Sequence, residues 1–120
     1  MSSTRERGQA VEARVAEFLE DNGLRIIDRN VAAAGGEVDL VALTEQDDAP
    51  LYVFVEVRSR AADDLGSPLE TVDIVKQRRV IRAATAWLVT RDLWERVAVR
   101  FDVVGVTGQR IEWIRGAFVA

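Results

Sequence analysis

Two β-strand patterns in the middle of the chain decide the fold. Residues 37–43 read EVDLVAL and residues 51–58 read LYVFVEVR, and both segments are apolar at most positions. Strands that are apolar on both faces lie in the centre of a sheet whose two sides are covered. The segment between them, residues 44–50, is polar and contains proline, so an antiparallel hairpin is the simplest connection.

The segment before these strands predicts a helix and a short strand. In residues 4–22 the apolar side chains recur at the i, i+4, i+7, i+8 spacing of one helix face. They are Val11, Val15, Phe18 and Leu19. Gly23 ends this predicted helix. Residues 24–30 then predict a short strand, and residues 33–36 predict a turn.

The segment after the central strands predicts a second helix and further strands. A polar loop at residues 59–66 leads to a helix that begins at either Ser67 or Asp73. Residues 97–106 form a strand pattern, and the helical crossover predicts that it runs parallel to the strand before it. Residues 111–114 predict a short fifth strand or an edge hairpin. A helix, three strands, a second helix and further strands predict an α/β fold with a central mixed sheet flanked by helices.

Length and composition narrow the class of protein. A chain of 120 residues suits a single domain, and 48% hydrophobic with 30% charged residues is typical of a soluble globular protein. No stretch has the pattern of a signal peptide or the length of a membrane span. We therefore expect one domain over residues 1–120, in the cytoplasm and without membrane association.

Two absent residue types exclude several chemistries. The chain has no cysteine and no histidine, which excludes disulfides, thiolate catalysis, Ser-His-Asp hydrolysis and the usual zinc sites. An enzyme of this composition would depend on carboxylates, Arg, Lys, Tyr, Ser or Thr. Carboxylates with a hard cation such as Mg²⁺ are the natural combination.

Charge is distributed unevenly along the chain. The net charge is −4, but residues 1–75 carry 7 basic and 16 acidic groups, whereas residues 76–120 carry 9 basic and 4 acidic groups. The C-terminal part could therefore contact phosphate while the N-terminal part binds a cation. The alternative is that these charges only solvate exposed faces.

Charged residues interrupt the two central strands. Residues two apart in a strand share a face, which pairs Glu37 with Asp39 and Glu56 with Arg58. Burial of an unpaired carboxylate is costly, so such groups are normally ion-paired or bound to a metal. If the hairpin register places Asp39 beside Glu56, a divalent cation would relieve their repulsion. Arg58 could then neutralise charge on an attacked phosphate.

An internal salt-bridge network, in which Arg58 and Lys76 neutralise Asp39 and Glu56, is an equal alternative on spacing alone. Two further residues favour a functional cluster. Lys76 is the single lysine of the chain, and it falls on the inward face of the second predicted helix, unlike the arginines at 78 and 82. Glu12 borders the buried stripe of the first predicted helix.

Taken together, these segments resemble the YraN-like family, within the restriction-endonuclease-like PD-(D/E)XK nuclease superfamily. The similarity extends from about Gly8 to Val106. Its most specific parts are residues 36–41 (GEVDLV), residues 53–60 (VFVEVRSR), Gly66 and Pro68 followed by Lys76, and residues 100–104 (RFDVV). The resemblance implies a restriction-endonuclease-like domain with an αβββαβ core.

The resemblance also implies a metal site for Mg²⁺ or Mn²⁺. Asp39 takes the place of the first aspartate of the nuclease motif, and Glu56 takes its second acidic position. Glu12 resembles the helix-borne glutamate of related Holliday-junction resolvases. Glu37 and Lys76 match positions typical of the family, without an assigned role.

Arg58 departs from the motif, which normally carries lysine at this position. Arginine keeps the positive charge and can bind a phosphate through two N–H groups, but its pKa above about 12 prevents it from acting as a base. Stabilisation of the transition state could survive this exchange, whereas positioning of the attacking water would suffer. Lys76 is a candidate replacement from the neighbouring helix.

The sequence therefore predicts a metal-dependent endonuclease-like protein that acts on DNA, including branched DNA. Its catalytic residues would be Asp39, Glu56, Arg58 and Glu12, and its phosphate-guiding residues Lys76, Arg78, Arg79 and Arg82. One alternative is a non-catalytic module on the same fold that binds nucleic acid or a protein partner. Another is a structural protein with a buried ion-pair network. A homodimer is expected only by analogy with the resolvases.

Overall fold

The fold is an α/β arrangement of a five-stranded sheet between two helices, seen in a computed structural model that describes residues 3–61 and 66–120. Of the predicted loop at 59–66, residues 62–65 lie outside the described residues. The elements are α1 (Thr4–Asp21), β1 (Arg25–Ala33), β2 (Gly36–Gln46), β3 (Ala49–Ser59), a 3₁₀ turn (Pro68–Thr71), α2 (Ile74–Thr90), β4 (Ala98–Thr107) and β5 (Arg110–Phe118). Neither helix of this part of the chain is long and apolar enough to cross a membrane.

The sheet is mixed, with strand order β1-β2-β3-β4-β5. Among the strands of residues 3–61 and 66–120, only β3 and β4 pair in parallel, because the 3₁₀ turn and α2 cross over between them. The other neighbours pair antiparallel. The predicted αβββαβ order, the central hairpin and the parallel crossover are confirmed, and the fifth strand spans nine residues and pairs with β4.

Both hairpins before the crossover have shorter connections than the sequence predicted. The polar segment at 44–50 contains only a two-residue turn, Asp47–Asp48, because β2 and β3 extend into it. The φ angles of these residues are 54° and 63°, which is the left-handed conformation that a two-residue hairpin turn requires and that aspartate tolerates. Ala34 and Gly35 make the corresponding turn between β1 and β2.

Both candidate starts of the second helix are used, each by a different element. The Ser67 hydroxyl accepts a hydrogen bond from the Leu69 amide at 3.2 Å and caps the 3₁₀ turn. The Asp73 carboxylate accepts one from the Lys76 amide at 2.8 Å and caps α2. Buried Val72 separates the two elements. The helical conformation is therefore interrupted after Thr71 and resumes at Ile74.

The core consists of one layer on each face of the sheet. Phe54, Val80 and Trp87 belong to the layer beneath α2, whereas Leu19 and Val53 belong to the layer beneath α1. Consecutive residues of β3 alternate between these layers, as a strand covered on both faces requires. This arrangement confirms the central position predicted for β2 and β3.

The start of β2 departs from regular strand geometry. Val38 packs in the α2 layer and Leu40 in the α1 layer, so the alternation of faces is interrupted at Asp39. At Gly36, a Cβ atom would overlap the backbone carbonyl of Arg79 on α2. Glycine therefore lets α2 contact the strand directly, beside the position where β2 loses its regular alternation.

Candidate functional site

A cleft of about 800 Å³ lies where the paired part of β2 and β3 ends, and its lining comes from α1, the first three strands and α2. It brings together most of the predicted site residues. The charged residues that line it are Glu12, Glu37, Asp39, Glu56, Arg58, Lys76 and Arg79. Arg78 and Arg82 are exposed on α2 outside this lining. The Arg82 Nε donates to the Ala34 carbonyl at 3.3 Å, in the turn between β1 and β2.

Asp39 and Glu56 lie beside each other at the end of the β2–β3 ladder. The last pair of that ladder joins Leu40 to Val55, and one further step in the same register places Asp39 opposite Glu56. Beyond it, the Val57 amide donates to Asp39 Oδ2 at 2.7 Å. The carboxylate of Asp39 therefore takes a strand amide as its hydrogen-bond partner, which fixes its position relative to β3.

The Glu56 carboxyl group, which is hydrogen-bonded to Asp39, has a strongly raised pKa. Burial raises the pKa of Glu56, and the hydrogen bond from Glu56 to Asp39 and the negative charge of Asp39 raise it further, to about 9. The charges of Arg58 and Lys76 lower this pKa by less. At neutral pH the Glu56 carboxyl is therefore protonated, and the pair carries one negative charge instead of two.

Glu12 approaches this pair from α1. Burial is the main cause that raises the pKa of Glu12, and the charge of Asp39 is the second. The Asn30 side chain hydrogen-bonds to the Glu12 carboxylate and opposes that rise. Asn30 has a φ of 51° and falls between the paired residues Arg29 and Val31 of β1. Sequence reasoning missed this contact, although an asparagine inside a strand pattern is a signal for a left-handed residue.

The carboxylates are not gathered as a set of three ligands. Within residues 3–61 and 66–120, no three acidic side chains are grouped closely enough to hold one metal ion between them. Asp39 and Glu56 form the close pair, and Glu12 is near enough for the charge of Asp39 to affect its pKa. The three-residue metal site remains a prediction.

Arg58 is held from the side of the 3₁₀ turn. Its Nε donates to Thr71 Oγ1 at 3.0 Å, and Thr71 Oγ1 donates to the Pro68 carbonyl at 2.7 Å. Lys76 is half-buried in the first turn of α2, where its charge reaches Glu56. Among the ion pairs of the described residues, none joins Arg58 or Lys76 to a carboxylate. The salt-bridge network considered for this position is therefore not what the structure shows.

Comparison with known proteins gives the family. The profile of the uncharacterised protein family UPF0102 matches residues 11–106. The chain belongs to this family. The UPF0102 protein of Marinobacter nauticus is 44% identical over 122 residues, covering 98% of this chain and 95% of the relative. Those of Stutzerimonas stutzeri and Chromohalobacter salexigens are 42% and 45% identical, and the alignments cover 98% and 99% of this chain and 98% and 95% of the relatives. The predicted YraN-like family is thereby confirmed.

A second carboxylate centre in this UPF0102 protein was not recognised from sequence. Asp102 on β4 is the wholly buried charged residue of the described chain. Arg100 donates to both of its oxygens at 2.8 Å, Trp113 Nε1 donates to Oδ2 at 2.8 Å and the Gly116 amide to Oδ1 at 2.9 Å. These four N–H groups satisfy the carboxylate and join β4 to β5, so Asp102 has a structural role.

Proposed function

We propose that the protein is a Mg²⁺- or Mn²⁺-dependent endonuclease that hydrolyses DNA phosphodiesters in the cleft. The observation that carries this proposal is the hydrogen-bonded carboxyl pair Asp39 and Glu56, in a cleft also lined by Arg58, Lys76 and Arg79. Acidic oxygens can hold a cation, and neighbouring basic groups can bind the phosphate that the cation activates. Membership of the nuclease superfamily, implied by the resemblance, belongs to the same proposal.

The residues present fit a hard divalent cation. Two carboxyl groups at hydrogen-bond distance need a proton between them, and a divalent cation can replace that proton. Mg²⁺ prefers oxygen ligands and is usually bound through one or two carboxylates, with water and substrate phosphate as its other ligands. A preformed pair is therefore sufficient on the protein side. When bound, the cation would polarise the phosphate and lower the pKa of an attacking water.

The residues of the cleft and of α2 then divide into three roles: binding the cation, stabilising charge on the phosphate, and contacting the DNA backbone. Asp39, fixed by the Val57 amide, and Glu56 would hold the cation, with Glu12 acting directly or through a water molecule. The guanidinium of Arg58 would stabilise the negative charge that develops on the phosphate. Phosphates of the DNA backbone would contact cleft-lining Lys76 and Arg79, and further along α2 the exposed side chains of Arg78 and Arg82.

A cleavage assay tests this function. Labelled duplex, flap and four-way-junction DNA are incubated with the protein and Mg²⁺ or Mn²⁺. We expect cleavage by the wild type and a loss of at least about 100-fold in Asp39→Asn and Glu56→Gln, as for removal of a group that acts on the transition state. Glu45→Gln is the matched control, because Glu45 is exposed at the far end of the same strand, β2.

Two outcomes would overturn the catalytic assignment. One is the absence of cleavage by both the wild type and Arg58→Lys with every substrate and either metal. The other is cleavage that persists in Asp39→Ala. The flap and junction substrates also test the narrower proposal of activity on branched DNA.

A second candidate function is a DNA-binding module without catalysis. The observation that favours it is Arg58, which cannot serve as a base at the position where the nuclease motif carries lysine. This candidate predicts salt-dependent DNA binding that needs no divalent cation and that Asp39→Ala leaves unchanged. Fluorescence anisotropy of labelled DNA, with EDTA and with Mn²⁺, separates the two functions.

A further inference from the structure

The hydrogen bonds that hold Arg58 have a fixed direction. The Thr71 hydroxyl has one proton, and Thr71 Oγ1 lies 2.7 Å from the Pro68 carbonyl, which can only accept. The hydroxyl therefore donates to Pro68 and keeps its lone pairs for the Arg58 Nε–H, at 3.0 Å. The Thr71 hydroxyl oxygen therefore accepts a hydrogen bond from the N–H group of a β3 side chain.

The acceptor itself is firmly placed. The Pro68 ring packs against Gly105 of β4, where a Cβ would overlap the ring. Gly105 is in turn the residue that pairs with Arg58 in the parallel β3–β4 ladder. The Ser67 cap and buried Val72 hold the two ends of the 3₁₀ turn. The strands therefore fix the position of the Thr71 hydroxyl relative to the backbone of Arg58.

This arrangement suits arginine and not lysine. Arginine donates from Nε as well as from its two terminal nitrogens, so a bond from Nε to Thr71 leaves four terminal N–H donors available. Lysine carries its charge and all three of its N–H donors on one nitrogen, so the atom that bonds to Thr71 would also have to bind the phosphate. The arginine that departs from the nuclease motif thus comes with an acceptor matched to it.

We infer that Thr71 is a positioning residue, which holds the Arg58 guanidinium so that its terminal N–H groups bind a phosphate of the DNA backbone in the cleft. The inference rests on the proposed function for the identity of the ligand. It goes further by assigning a role to a residue of the 3₁₀ turn and by explaining how arginine can replace the motif lysine as a phosphate ligand. Thr71 acts in this role through its hydrogen bonds to Arg58 and Pro68.

The test compares Thr71→Val, Thr71→Ser, Arg58→Lys and the double variant Thr71→Val with Arg58→Lys. Thr71→Val keeps the shape of the side chain and removes the acceptor, whereas Thr71→Ser keeps the hydroxyl. Thr44→Val is the matched control, because the Thr44 hydroxyl also donates to a backbone carbonyl, that of Gly23 at 3.2 Å, outside the cleft lining. Two readouts are used: kcat and KM for Mn²⁺-dependent cleavage, and the Kd of labelled DNA as a function of salt.

We expect Thr71→Val to reduce kcat/KM and DNA affinity by roughly tenfold, the usual effect of losing a hydrogen bond to a charged group. Thr71→Ser should stay within about twofold of the wild type, and Thr44→Val should leave both readouts unchanged. In the Arg58→Lys background, Thr71→Val should cause little further loss, because the donor it serves is already gone.

Three results would overturn the inference: wild-type behaviour of Thr71→Val, a Thr71→Ser variant as impaired as Thr71→Val, or an undiminished effect of Thr71→Val when Arg58 is lysine. Failure of the proposed function has a different signature. If the wild type binds DNA but never cleaves it, the binding readout still decides for or against Thr71 through the same three comparisons. If the wild type does not bind DNA, the inference fails together with the proposed phosphate ligand.

Discussion

Two carboxylate centres lie on the same sheet and differ in how their oxygens are occupied. Asp102 is wholly buried on β4 and receives four N–H donors from Arg100, Trp113 and Gly116. Asp39 and Glu56 are only partly buried and hydrogen-bond to each other, and Asp39 also receives the Val57 amide. One centre has its hydrogen-bonding capacity filled by the protein, whereas the other lines a cleft and retains capacity for a ligand.

The difference shows that burial of a charge does not by itself identify a functional site. Asp102 is the more buried carboxylate, but its oxygens are already fully engaged with protein donors, as those of structural buried groups are. The Asp39 and Glu56 pair keeps a proton in place of a positively charged partner, and this perturbed protonation in a cleft is typical of functional sites. The predictions below test the two sides of this contrast, beginning with the largest expected effect.

Asp102→Asn should lower the free energy of unfolding by about 3–5 kcal/mol, because it removes the negative charge that balances the Arg100 guanidinium. It also replaces one acceptor oxygen with an NH2 donor, which faces N–H groups that themselves donate. Asp39→Asn, the matched change in the other centre, should cost less than about 1 kcal/mol, because the Asp39 oxygens receive fewer protein donors. Urea unfolding followed by tryptophan fluorescence measures both. Equal losses in the two variants would remove the contrast between the centres.

The metal-free protein should lose stability as the pH rises. The pKa of Glu56 is about 9 in the folded chain and 4.5 when unperturbed, so between these values the folded state binds more protons than the unfolded state. The stabilisation is complete below about pH 4.5 and disappears as the pH rises through about 9, at about 1.4 kcal/mol per pH unit. Urea unfolding in EDTA from pH 5 to 9 should show this slope in the wild type and a flatter one in Glu56→Gln. A wild type whose stability rises over this range relative to Glu56→Gln would show that the carboxyl pair is not protonated.

Mn²⁺ or Mg²⁺ should raise the melting temperature at pH 8, where a cation can replace the shared proton. The expected stabilisation is about 1.4 kcal/mol when the free metal is at ten times its Kd. Asp39→Asn and Glu56→Gln should abolish the shift, and Glu45→Gln should retain it. Loss of the shift in Glu45→Gln, or its survival in Asp39→Asn, would place the bound metal elsewhere.

Gly8→Ala should raise the free energy of unfolding by about 0.5–1 kcal/mol, the usual effect of replacing a glycine inside a helix. A Cβ built at Gly8 would meet no other atom of the described residues within 4 Å, so nothing opposes the gain. Gly8 lines the cleft one helical turn before Glu12, and the added methyl group should therefore reduce DNA cleavage while stability rises. Thermal melts and the cleavage assay test the two effects separately, and a less stable Gly8→Ala would show that Gly8 has a packing role.

Local sequence patterns were sufficient to predict the fold, but they predicted the candidate site only in part. The runs of apolar residues in β2 and β3 and the capping signals at Ser67 and Asp73 were sufficient for the element order, because they depend on neighbours along the chain. The proximity of Asp39 and Glu56 depended on hairpin register, which the sequence left open until the two-residue turn at Asp47–Asp48 was known.

Other contacts were beyond sequence reasoning because they join distant parts of the chain. Two of the four donors of Asp102, those of Trp113 and Gly116, come from β5, up to 14 positions later, and the bulged pairing of β4 with β5 brings them to Asp102. The Thr71 acceptor for Arg58 depends on how the 3₁₀ turn packs against β4. These residues can be read from the sequence, but the packing of helices and strands that brings them into contact cannot.

Gly36 has a consequence for how the cleft could change during evolution. The backbone of α2, which carries Lys76 and Arg79, contacts the backbone of β2 at this glycine with no side chain between them. The distance between α2, which carries basic residues, and β2, which carries acidic residues, is therefore set by a contact between main-chain atoms. Substitutions along the lining can change which groups a substrate meets, whereas a side chain at residue 36 would push α2 away from β2.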